Sequence, residues 1–238
     1  MRKDVIEQLS QLNQVFYDTF AHAFSDSRSR TEPGLERILG QVSPGSRVLD
    51  LGCGQGRIAL LLPEGCVYVG ADFSAEMLAL AQESAAAAPV DARFVQVNLT
   101  DAEWSLPDEY DWIILRAVLH HIPSYEARLH ILRQAARRLS PGGKVVMANW
   151  RFLAIPRLRR RVQPWSEIGL GEEDVDPGDY LLDWQREGYG LRYVHMVDQD
   201  EAERLATDAG LAVEEHFLAD GHSGDLTLYT VLYQKTPR

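Results

Sequence analysis

The chain has 238 residues and a formal net charge of −11, from 24 Lys and Arg against 35 Asp and Glu. This length fits one domain with room for an insertion, and the acidic balance argues against DNA or RNA binding unless positive residues cluster locally. No apolar run is long enough for a membrane span or a secretory signal, and two cysteines are too few for a disulfide framework, so a cytoplasmic protein without a metal site or a membrane partner is expected.

The first 45 residues predict a helical cover. Six apolar side chains recur with the 3.6-residue period of a helix, which is expected to end between Ser25 and Ser29. These side chains are Val5, Leu9, Leu12, Phe16, Phe20 and Phe24. Pro33 suits the first turn of a second, short helix over Gly34–Val42.

Residues 46–150 alternate short apolar strands with amphipathic helices. One helix is predicted over Arg57–Leu62, another after the N-cap candidate Ser74, and a long one after Ser124. The five predicted strands cover residues 47–51, 66–72, 92–98, 111–117 and 144–150. Strand–helix alternation of this kind requires crossover connections and therefore indicates a parallel sheet.

Residues 151–198 break the alternation. Residues 151–161 carry five Arg and no acid, whereas residues 162–185 carry seven acids and no base. A separate domain of under about 50 residues would bury too little surface to be stable alone, so this segment is interpreted as an inserted lid. Residues 199–238 complete the chain with a helix and a strand hairpin. The predicted fold is α/β: a single domain with a doubly wound, Rossmann-like sheet of seven mostly parallel strands, one of them antiparallel near the C-terminus.

A glycine-rich turn after the first predicted strand is the sharpest functional signal. Gly52, Gly54 and the glycine at 56 allow the backbone to take positive φ angles and to approach a ligand closely. The dinucleotide fingerprint Gly-x-Gly-x-x-Gly/Ala does not fit, because Arg57 stands at its last position. Asp50 lies two residues before the turn, where a carboxylate favours a cationic or zwitterionic ligand over a diphosphate.

Asp72 ends the second predicted strand, 20 residues after the first glycine of the turn. The ends of neighbouring strands lie side by side in a doubly wound sheet, so this carboxylate is expected to face the turn and bind the two hydroxyls of a ribose. The alternative is an Asp that only caps the following helix. Phe73 is placed to lie against an adenine ring. Asn98 ends the third strand, is followed by Leu99, and is placed to bind the amino edge of the base.

Four motifs in this order resemble those of the class I S-adenosylmethionine-dependent methyltransferases. They are the glycine turn preceded by Asp50, the segment VGADFS with Asp72, the segment Arg116–Pro123, and the LxPGG-like turn Leu139–Lys144. The resemblance covers about residues 35–235 and implies S-adenosylmethionine as cofactor, with S-adenosylhomocysteine as product. Asn98 stands where most members have Asp, and its amide oxygen can still accept from adenine. The implied cofactor site consists of Tyr17, Arg28, Asp50, Gly52, Cys53, Gly54, Asp72, Phe73, Met77, Asn98, Leu99 and Arg116, with Tyr17 and Arg28 closing over the methionine moiety.

A narrower resemblance is to the tRNA wobble-uridine branch of that superfamily, which methylates a carboxymethyl group on the base to its ester. The shared features are a helix like residues 15–25 that leads into an arginine, the pair His120-His121, Trp150 at the end of the fifth strand, and the segment Arg192-Tyr193-Val194-His195. This resemblance implies tRNA as an alternative substrate.

The candidates around the acceptor are Tyr17, Arg28, His121, Arg192, Tyr193 and His195, and of these His121, Arg192 and His195 are predicted to be catalytic. His121 follows a strand end, where ligands bind in doubly wound sheets, and its imidazole can serve as a general base; the alternative is a histidine hydrogen-bonded in the loop wall. Arg192 can bind a carboxylate through two hydrogen bonds or form a salt bridge within the acidic insertion. His195 belongs to the same segment.

The predicted function is in-line methyl transfer to a small carboxylate- or amine-bearing acceptor, held about 3–3.5 Å from the methyl carbon. A carboxylate needs no base, whereas an amine or a hydroxyl gains from one. Two alternatives stay open: modification of a tRNA wobble base, and a catalytically silent cofactor-binding subunit that requires a partner chain. The arginines at 157–161 are either a phosphate-binding patch or a solvated helix face. A small molecule is preferred over tRNA as partner, with no DNA, and the oligomeric state is not predicted.

Overall fold

The computed structural model describes residues 1–26, 32–107, 109–185 and 188–235, and within residues 21–26 only the backbone. Helix α1 covers Lys3–Asp26, with a non-helical residue at Phe20 (φ −112°, ψ 17°). Helix α2 covers Pro33–Leu39 and ends three residues earlier than expected, at a turn that begins with Gly40. Both predicted N-terminal helices are therefore present.

Two sheets are built from the ten strands of the described residues. These strands are β1 (Arg47–Leu51), β2 (Val67–Asp72), β3 (Asp91–Gln96), β4 (Tyr110–Arg116), β5 (Leu139–Trp150), β6 (Val162–Gln163), β7 (Asp179–Trp184), β8 (Gly190–His195), β9 (Leu211–Ala219) and β10 (Thr227–Gln234). The main sheet has the order β3-β2-β1-β4-β5-β10-β9. Strands β1 to β5 pair in parallel, and β10 is antiparallel to both of its neighbours. The predicted seven-stranded, doubly wound α/β sheet is confirmed.

Helices cover both faces of the main sheet. The remaining helices are α3 (Ala75–Ala85), α4 (Tyr125–Arg137), α5 (Pro156–Arg159) and α6 (Gln199–Asp208). The hydroxyl oxygens of Ser74 and Ser124 cap α3 and α4 as predicted, each accepting a backbone N–H at 3.3 Å. Leu132 of α4 and Leu205 of α6 pack on one face, and α2 covers the other, so the central strands are buried on both sides. Among the described residues, no helix combines the length and apolar character that crossing a membrane requires.

Residues 151–198 contain the second sheet, which is antiparallel and has the order β6-β7-β8. Helix α1 packs across it: Leu9 belongs to the same apolar cluster as Leu181 and Tyr193. Phe16 lies against Trp184, with ring centroids 5.9 Å apart. The sequence singled out this segment but not its strands, because charged residues that are buried in them interrupt the apolar pattern.

Further predicted boundaries differ from the structure, among them the end of β3, which lies at Gln96 instead of residue 98, so that Asn98 follows the strand instead of ending it. Arg57–Leu60 form a single 3-10 turn instead of a helix over 57–62, because Pro63 disfavours the helical conformation of the residue before it. Strand β5 begins at Leu139 instead of residue 144, since Ser140–Gly143 form a bulge in its pairing with β4.

Candidate active site

A cleft of about 690 Å³ lies beyond the carboxyl ends of β1, β2 and β4, between these strands and α1. Ligands of doubly wound sheets bind at this edge. The predicted site residues that line the cleft are Tyr17, Gly52, Cys53, Gly54, Asp72, Phe73, Met77, Asn98, Leu99, Arg116 and His121. Most of the predicted cofactor site therefore lies in one place. Arg28 lies outside the described residues.

The glycine turn presents bare backbone to this cleft. Gly52, Gly54 and Gly56 have φ angles of 72°, 54° and 69°, which residues with a Cβ rarely adopt. The amides of Gly52 and Cys53 donate to the carbonyl oxygen of Ala71 at 2.7 and 3.1 Å and so hold the turn against β2. A Cβ on Gly52 would lie 2.5 Å from Val118, whereas one on Gly54 would meet no atom within 4 Å. Above Gly54 there is thus open space into which a ligand fits against the backbone.

Gly54→Ala is expected to weaken cofactor binding more than it weakens the fold. The positive φ angle adds roughly 1–2 kcal/mol of backbone strain, and the new methyl group would occupy the open space above the turn. Gly142→Ala is the matched control, because Gly142 also has a positive φ and open surroundings but lies near the start of β5. Both variants should lose similar thermal stability, and calorimetric titration with S-adenosylhomocysteine should show weaker binding in Gly54→Ala alone. Equal affinities would mean that the cofactor does not approach the turn.

Asp72 joins the turn to the start of α3. One carboxylate oxygen accepts the N–H of Gly54 at 2.9 Å and the other accepts the N–H of Ser74 at 3.0 Å. Burial raises the pKa of Asp72 above its usual value, although the N–H groups of Ser74 and Gly54 favour the ionised form. Ser74, not Asp72, is the N-cap of α3, so the alternative sequence interpretation, an Asp that only caps the helix, does not describe this side chain. Asp72 ties the glycine turn to the residue before α3 and lines the cleft beside the turn, as ribose binding requires.

Next to Asp72, the cleft offers a flat apolar surface and an amide. Phe73 is 40% exposed and lies directly after β2, while Met77 and Leu99 are largely buried. The side-chain oxygen of Asn98 accepts from the backbone N–H of Thr100 at 3.1 Å and from its hydroxyl at 2.8 Å. This arrangement fits an adenine ring, with Thr100 as a neighbour that the sequence did not single out.

Asp50 and Cys53 take up structural positions. Asp50 is 2% exposed and does not line the cleft, because side chains alternate along β1 and Asp50 faces the same side as Tyr68. Tyr68 donates to it at 2.7 Å, and burial raises the pKa of Asp50 to about 6. The sequence led us to expect direct contact between Asp50 and a cationic ligand, and the burial of Asp50 corrects that expectation. Burial also raises the pKa of the Cys53 thiol far above its usual value, so this group stays protonated.

An ion-pair cluster lies at the edge of the cleft. Arg116 and Arg57 both line the cleft and both pair with Glu32, with nitrogen–oxygen distances of 3.1 and 3.5 Å. Glu32 directly precedes α2, and no sequence motif drew attention to it. The cluster fixes the position of the Arg116 guanidinium, which was predicted to belong to the cofactor site.

Helix α1 forms the wall opposite the glycine turn. Ser10, Asn13, Gln14 and Tyr17 line the cleft, and their helical spacing places them on one face of α1. The hydroxyl of Tyr17 lies 2.6 Å from Nε2 of His121. Of these four, the sequence singled out only Tyr17. A polar residue at 13, within the apolar stripe of α1, was the signal that could have identified Asn13.

Arg192 and His195 do not line the cleft, which corrects the expectation that they touch the acceptor. They lie three residues apart on β8, so strand alternation directs them to opposite faces of the small sheet. The guanidinium of Arg192 lies over the rings of Phe16, Trp150 and Trp184 at 5.2, 5.1 and 5.7 Å. Arg192 thereby ties α1 to the small sheet and to the end of β5.

His195 lies in a buried network of charged groups. Its Nδ1 is 2.6 Å from Asp179 and its Nε2 is 2.5 Å from Glu201, so both nitrogens donate and the ring is positively charged. Arg128 pairs with Glu201, and the hydroxyl of Tyr193 donates to Asp179. Burial alone lowers the pKa of His195, but the bonds to the two carboxylates outweigh it and raise the pKa above 6.5.

This raised pKa predicts a pH-dependent stability. A group with a raised folded-state pKa contributes its full stabilisation below its unfolded value, about 6.5, and loses it as the pH rises through the folded value. The free energy of unfolding of the wild type should therefore fall with rising pH above about 6.5, whereas His195→Gln should lack this slope. Urea unfolding at several pH values between about 6 and 9 measures both. If the free energy of unfolding depends on pH in the same way for both proteins, the assignment of a positive charge to His195 is contradicted.

In the described ranges, no group of three or more His, Cys, Asp or Glu side chains is arranged to hold a metal ion. The bare turn at Gly54, the carboxylate of Asp72 and the surface beside Phe73 instead fit a nucleoside-containing ligand. The comparisons with known proteins agree with this geometry.

A family model described as a methyltransferase domain matches residues 23–216. The 27-O-demethylrifamycin SV methyltransferase of Amycolatopsis mediterranei is 31% identical over 173 residues, 67% of this chain and 62% of that enzyme. The tRNA (carboxymethyluridine(34)-5-O)-methyltransferase of Schizosaccharomyces pombe is 24% identical over 89% of this chain and 93% of its own length.

Among solved structures, a SAM-dependent methyltransferase from Methanosarcina mazei superposes with a TM-score of 0.65 at 19% identity. The superposition covers 83% of this chain and 96% of that one. This similarity shows the fold, and the family match covers most of the chain. The chain belongs to the S-adenosylmethionine-dependent methyltransferases, and S-adenosylmethionine is its cofactor.

Proposed function

We propose that this enzyme transfers the methyl group of S-adenosylmethionine to a small molecule bound between the cofactor and α1. The supporting observation is one continuous cleft of about 690 Å³, with the glycine turn and Asp72 on one side and the polar face of α1 and His121 on the other. This volume is in the range of small-molecule sites, about 300–1,000 Å³. Cofactor and acceptor then share one cleft.

The residues of this chain bind and orient the reactants. Asp72 holds the ribose, while Phe73 and Asn98 hold the adenine. The bound cofactor supplies an electrophilic methyl group. Helix α1 covers the acceptor side, so the acceptor is held in place and water is excluded; orientation of this kind supplies a large part of the rate enhancement in group transfer.

The distribution of charge favours a small acceptor over tRNA. The chain has a net charge of −11, whereas RNA binders usually present positive surface along the backbone path. Arg157, Arg159 and Arg160 are exposed on and beside α5, and none of them lines the cleft. The relatives include enzymes named for a rifamycin and for a tRNA, so relatedness alone supports either acceptor.

Transfer of labelled methyl into a cell extract, separated into tRNA and small-molecule fractions, tests this proposal. We expect label in the small-molecule fraction, and the same amount from a triple variant with Arg157, Arg159 and Arg160 replaced by Ser. Label in tRNA that mild base releases, and that the triple variant no longer transfers, would instead support the wobble-uridine alternative. Binding of S-adenosylhomocysteine without transfer to either fraction, until a second chain is added, would support the silent subunit.

A further inference from the structure

We infer that the acceptor is a hydroxyl compound and that Tyr17 and His121 form a relay that removes its proton. This inference rests on the proposed small-molecule methyl transfer and names the class of its substrate. The hydroxyl oxygen of Tyr17 lies 2.6 Å from Nε2 of His121, and both side chains line the cleft. Their rings meet edge to face with centroids 5.2 Å apart, so packing as well as the hydrogen bond holds the pair together.

The surroundings of His121 decide which ring nitrogen carries the proton. Nδ1 faces the backbone carbonyl oxygen of Tyr193 at 3.5 Å. A carbonyl oxygen can only accept, and a lone pair on Nδ1 would be repelled by it, so Nδ1 carries the proton. Nε2 of the neutral ring is then an acceptor, and the hydroxyl of Tyr17 donates to it.

Asn13 forms hydrogen bonds to both His121 and Tyr193 and holds them in place relative to each other. Its side-chain nitrogen donates to the carbonyl oxygens of His121 and Tyr193, each at 3.1 Å. Its side-chain oxygen accepts the N–H of Tyr193 at 2.8 Å. Asn13 is largely buried, with 6% of its surface exposed. It therefore acts as a positioning residue that fixes the Tyr193 carbonyl relative to the His121 ring.

Among the described residues, the α1 side chains that line the cleft beside Tyr17 are uncharged, which points to a neutral acceptor; the charged side chains of the cleft are held elsewhere, Arg57 and Arg116 by Glu32, and Asp72 at the glycine turn. The α1 residues that line the cleft beside Tyr17 are Ser10, Asn13 and Gln14. A carboxylate acceptor would gain from a cation here and needs no base, whereas an ammonium acceptor would gain from an anion. A hydroxyl requires a base and no opposite charge, so it matches both the relay and the wall.

The proton follows a defined route during transfer. The acceptor oxygen gains the methyl carbon and loses its proton, and the electron pair of the cleaved carbon–sulfur bond stays on the cofactor's sulfur. The acceptor proton passes to the Tyr17 oxygen as the proton of Tyr17 moves to Nε2 of His121. His121 ends as an imidazolium that donates from both nitrogens, to Tyr17 and to the carbonyl of Tyr193.

NMR of the protein labelled with nitrogen-15 in its histidine rings tests the relay without turnover. At alkaline pH the ring signals of His121, assigned by their loss in His121→Gln, should show a protonated Nδ1 and an unprotonated Nε2. Tyr17→Phe should shift the Nε2 signal and leave the exposed reference His222 unchanged. A neutral ring that is protonated on Nε2 would overturn the relay.

The product identifies the acceptor class. With carbon-13 methyl S-adenosylmethionine and the small-molecule fraction of an extract, we expect a methyl ether that is stable to mild base. A methyl ester or an N-methyl product, as the carboxylate or amine predicted from the sequence would give, overturns the hydroxyl assignment and leaves the proposed function standing. Absence of any transfer contradicts the proposed function, and the NMR result then still decides the relay.

Kinetics of the same reaction separate a catalytic from a structural role. His121→Gln should lower kcat by about 10²–10⁴-fold and abolish the decline of kcat at acidic pH, because no imidazole is left to be protonated. Its affinity for S-adenosylhomocysteine should stay unchanged. Tyr17→Phe should lower kcat in the same way, and the control His222→Gln should match the wild type. A decline of kcat at acidic pH that persists in His121→Gln would overturn the relay.

Discussion

Glu201→Gln should lower the free energy of unfolding by about 3–5 kcal/mol, because it leaves two buried cations without their shared anion. Glu201 accepts from Nε and Nη2 of Arg128, both at 2.9 Å, and from Nε2 of His195 at 2.5 Å. The side chains of Arg128 and His195 are each 2% exposed, so water cannot replace the lost carboxylate. Urea unfolding of the variant and the wild type measures the difference.

The network also has a role in the architecture. Asp179 and His195 belong to the small sheet, whereas Arg128 and Glu201 belong to α4 and α6 of the main domain. The buried network therefore holds the 151–198 segment in place over the carboxyl edge of the main sheet, together with helix α1, which packs on that segment. Loss of one carboxylate should weaken this attachment as well as the local ion pairs.

Glu203→Gln is the matched control for this prediction. Glu203 lies on the same helix and pairs with His216 at 3.3 Å, but 52% of its side chain is exposed. Exposed ion pairs contribute at most about 1 kcal/mol, so this variant should remain close to the wild type. If both variants lose the same small amount, the buried network contributes no more than a surface pair, and our account of how the segment is held is wrong.

Asp72→Asn should weaken binding of S-adenosylhomocysteine by roughly 10- to 150-fold. Hydrogen bonds to a charged group contribute about 1.5–3 kcal/mol, and each 1.4 kcal/mol corresponds to a factor of ten in affinity. Asparagine keeps one oxygen to accept from Gly54 or Ser74, so the turn loses less support than it would with alanine. Isothermal titration calorimetry gives the affinity, and thermal unfolding checks that the fold is intact.

Asp91→Asn is the control for this measurement. Asp91 begins β3, at the opposite edge of the sheet from the cleft, and its exposed side chain lies 3.8 Å from Arg93. Its replacement should leave the affinity unchanged. If Asp72→Asn binds S-adenosylhomocysteine as tightly as Asp91→Asn, the ribose is not held by Asp72.

The cofactor half of the site could be predicted from the sequence for a physical reason. Parallel strands end at the same edge of a sheet, so residues that follow the strands converge wherever the alternation of strands and helices is clear. Asp72 ends β2, Gly54 lies three residues after β1 and Asn98 two residues after β3, and the cleft brings them together.

The acceptor half depends on contacts that no local pattern encodes. Asn13 forms hydrogen bonds to His121, 108 positions away in the sequence, and to Tyr193, 180 positions away. These contacts form only because α1 packs on the small sheet. Arg192 and His195 form a contiguous motif in the sequence, yet strand alternation separates their side chains. Knowledge that residues 190–195 form a strand would have shown that the side chains of Arg192 and His195 cannot both face one acceptor.

A crystal structure of the protein with S-adenosylhomocysteine tests the central claim most directly. Our account predicts the ribose hydroxyls within hydrogen-bonding distance of Asp72, the adenine beside Phe73 and Asn98, and the sulfur directed toward Tyr17 and His121. A complex in which the ribose lies away from Asp72, or in which the sulfur faces away from α1, would contradict it.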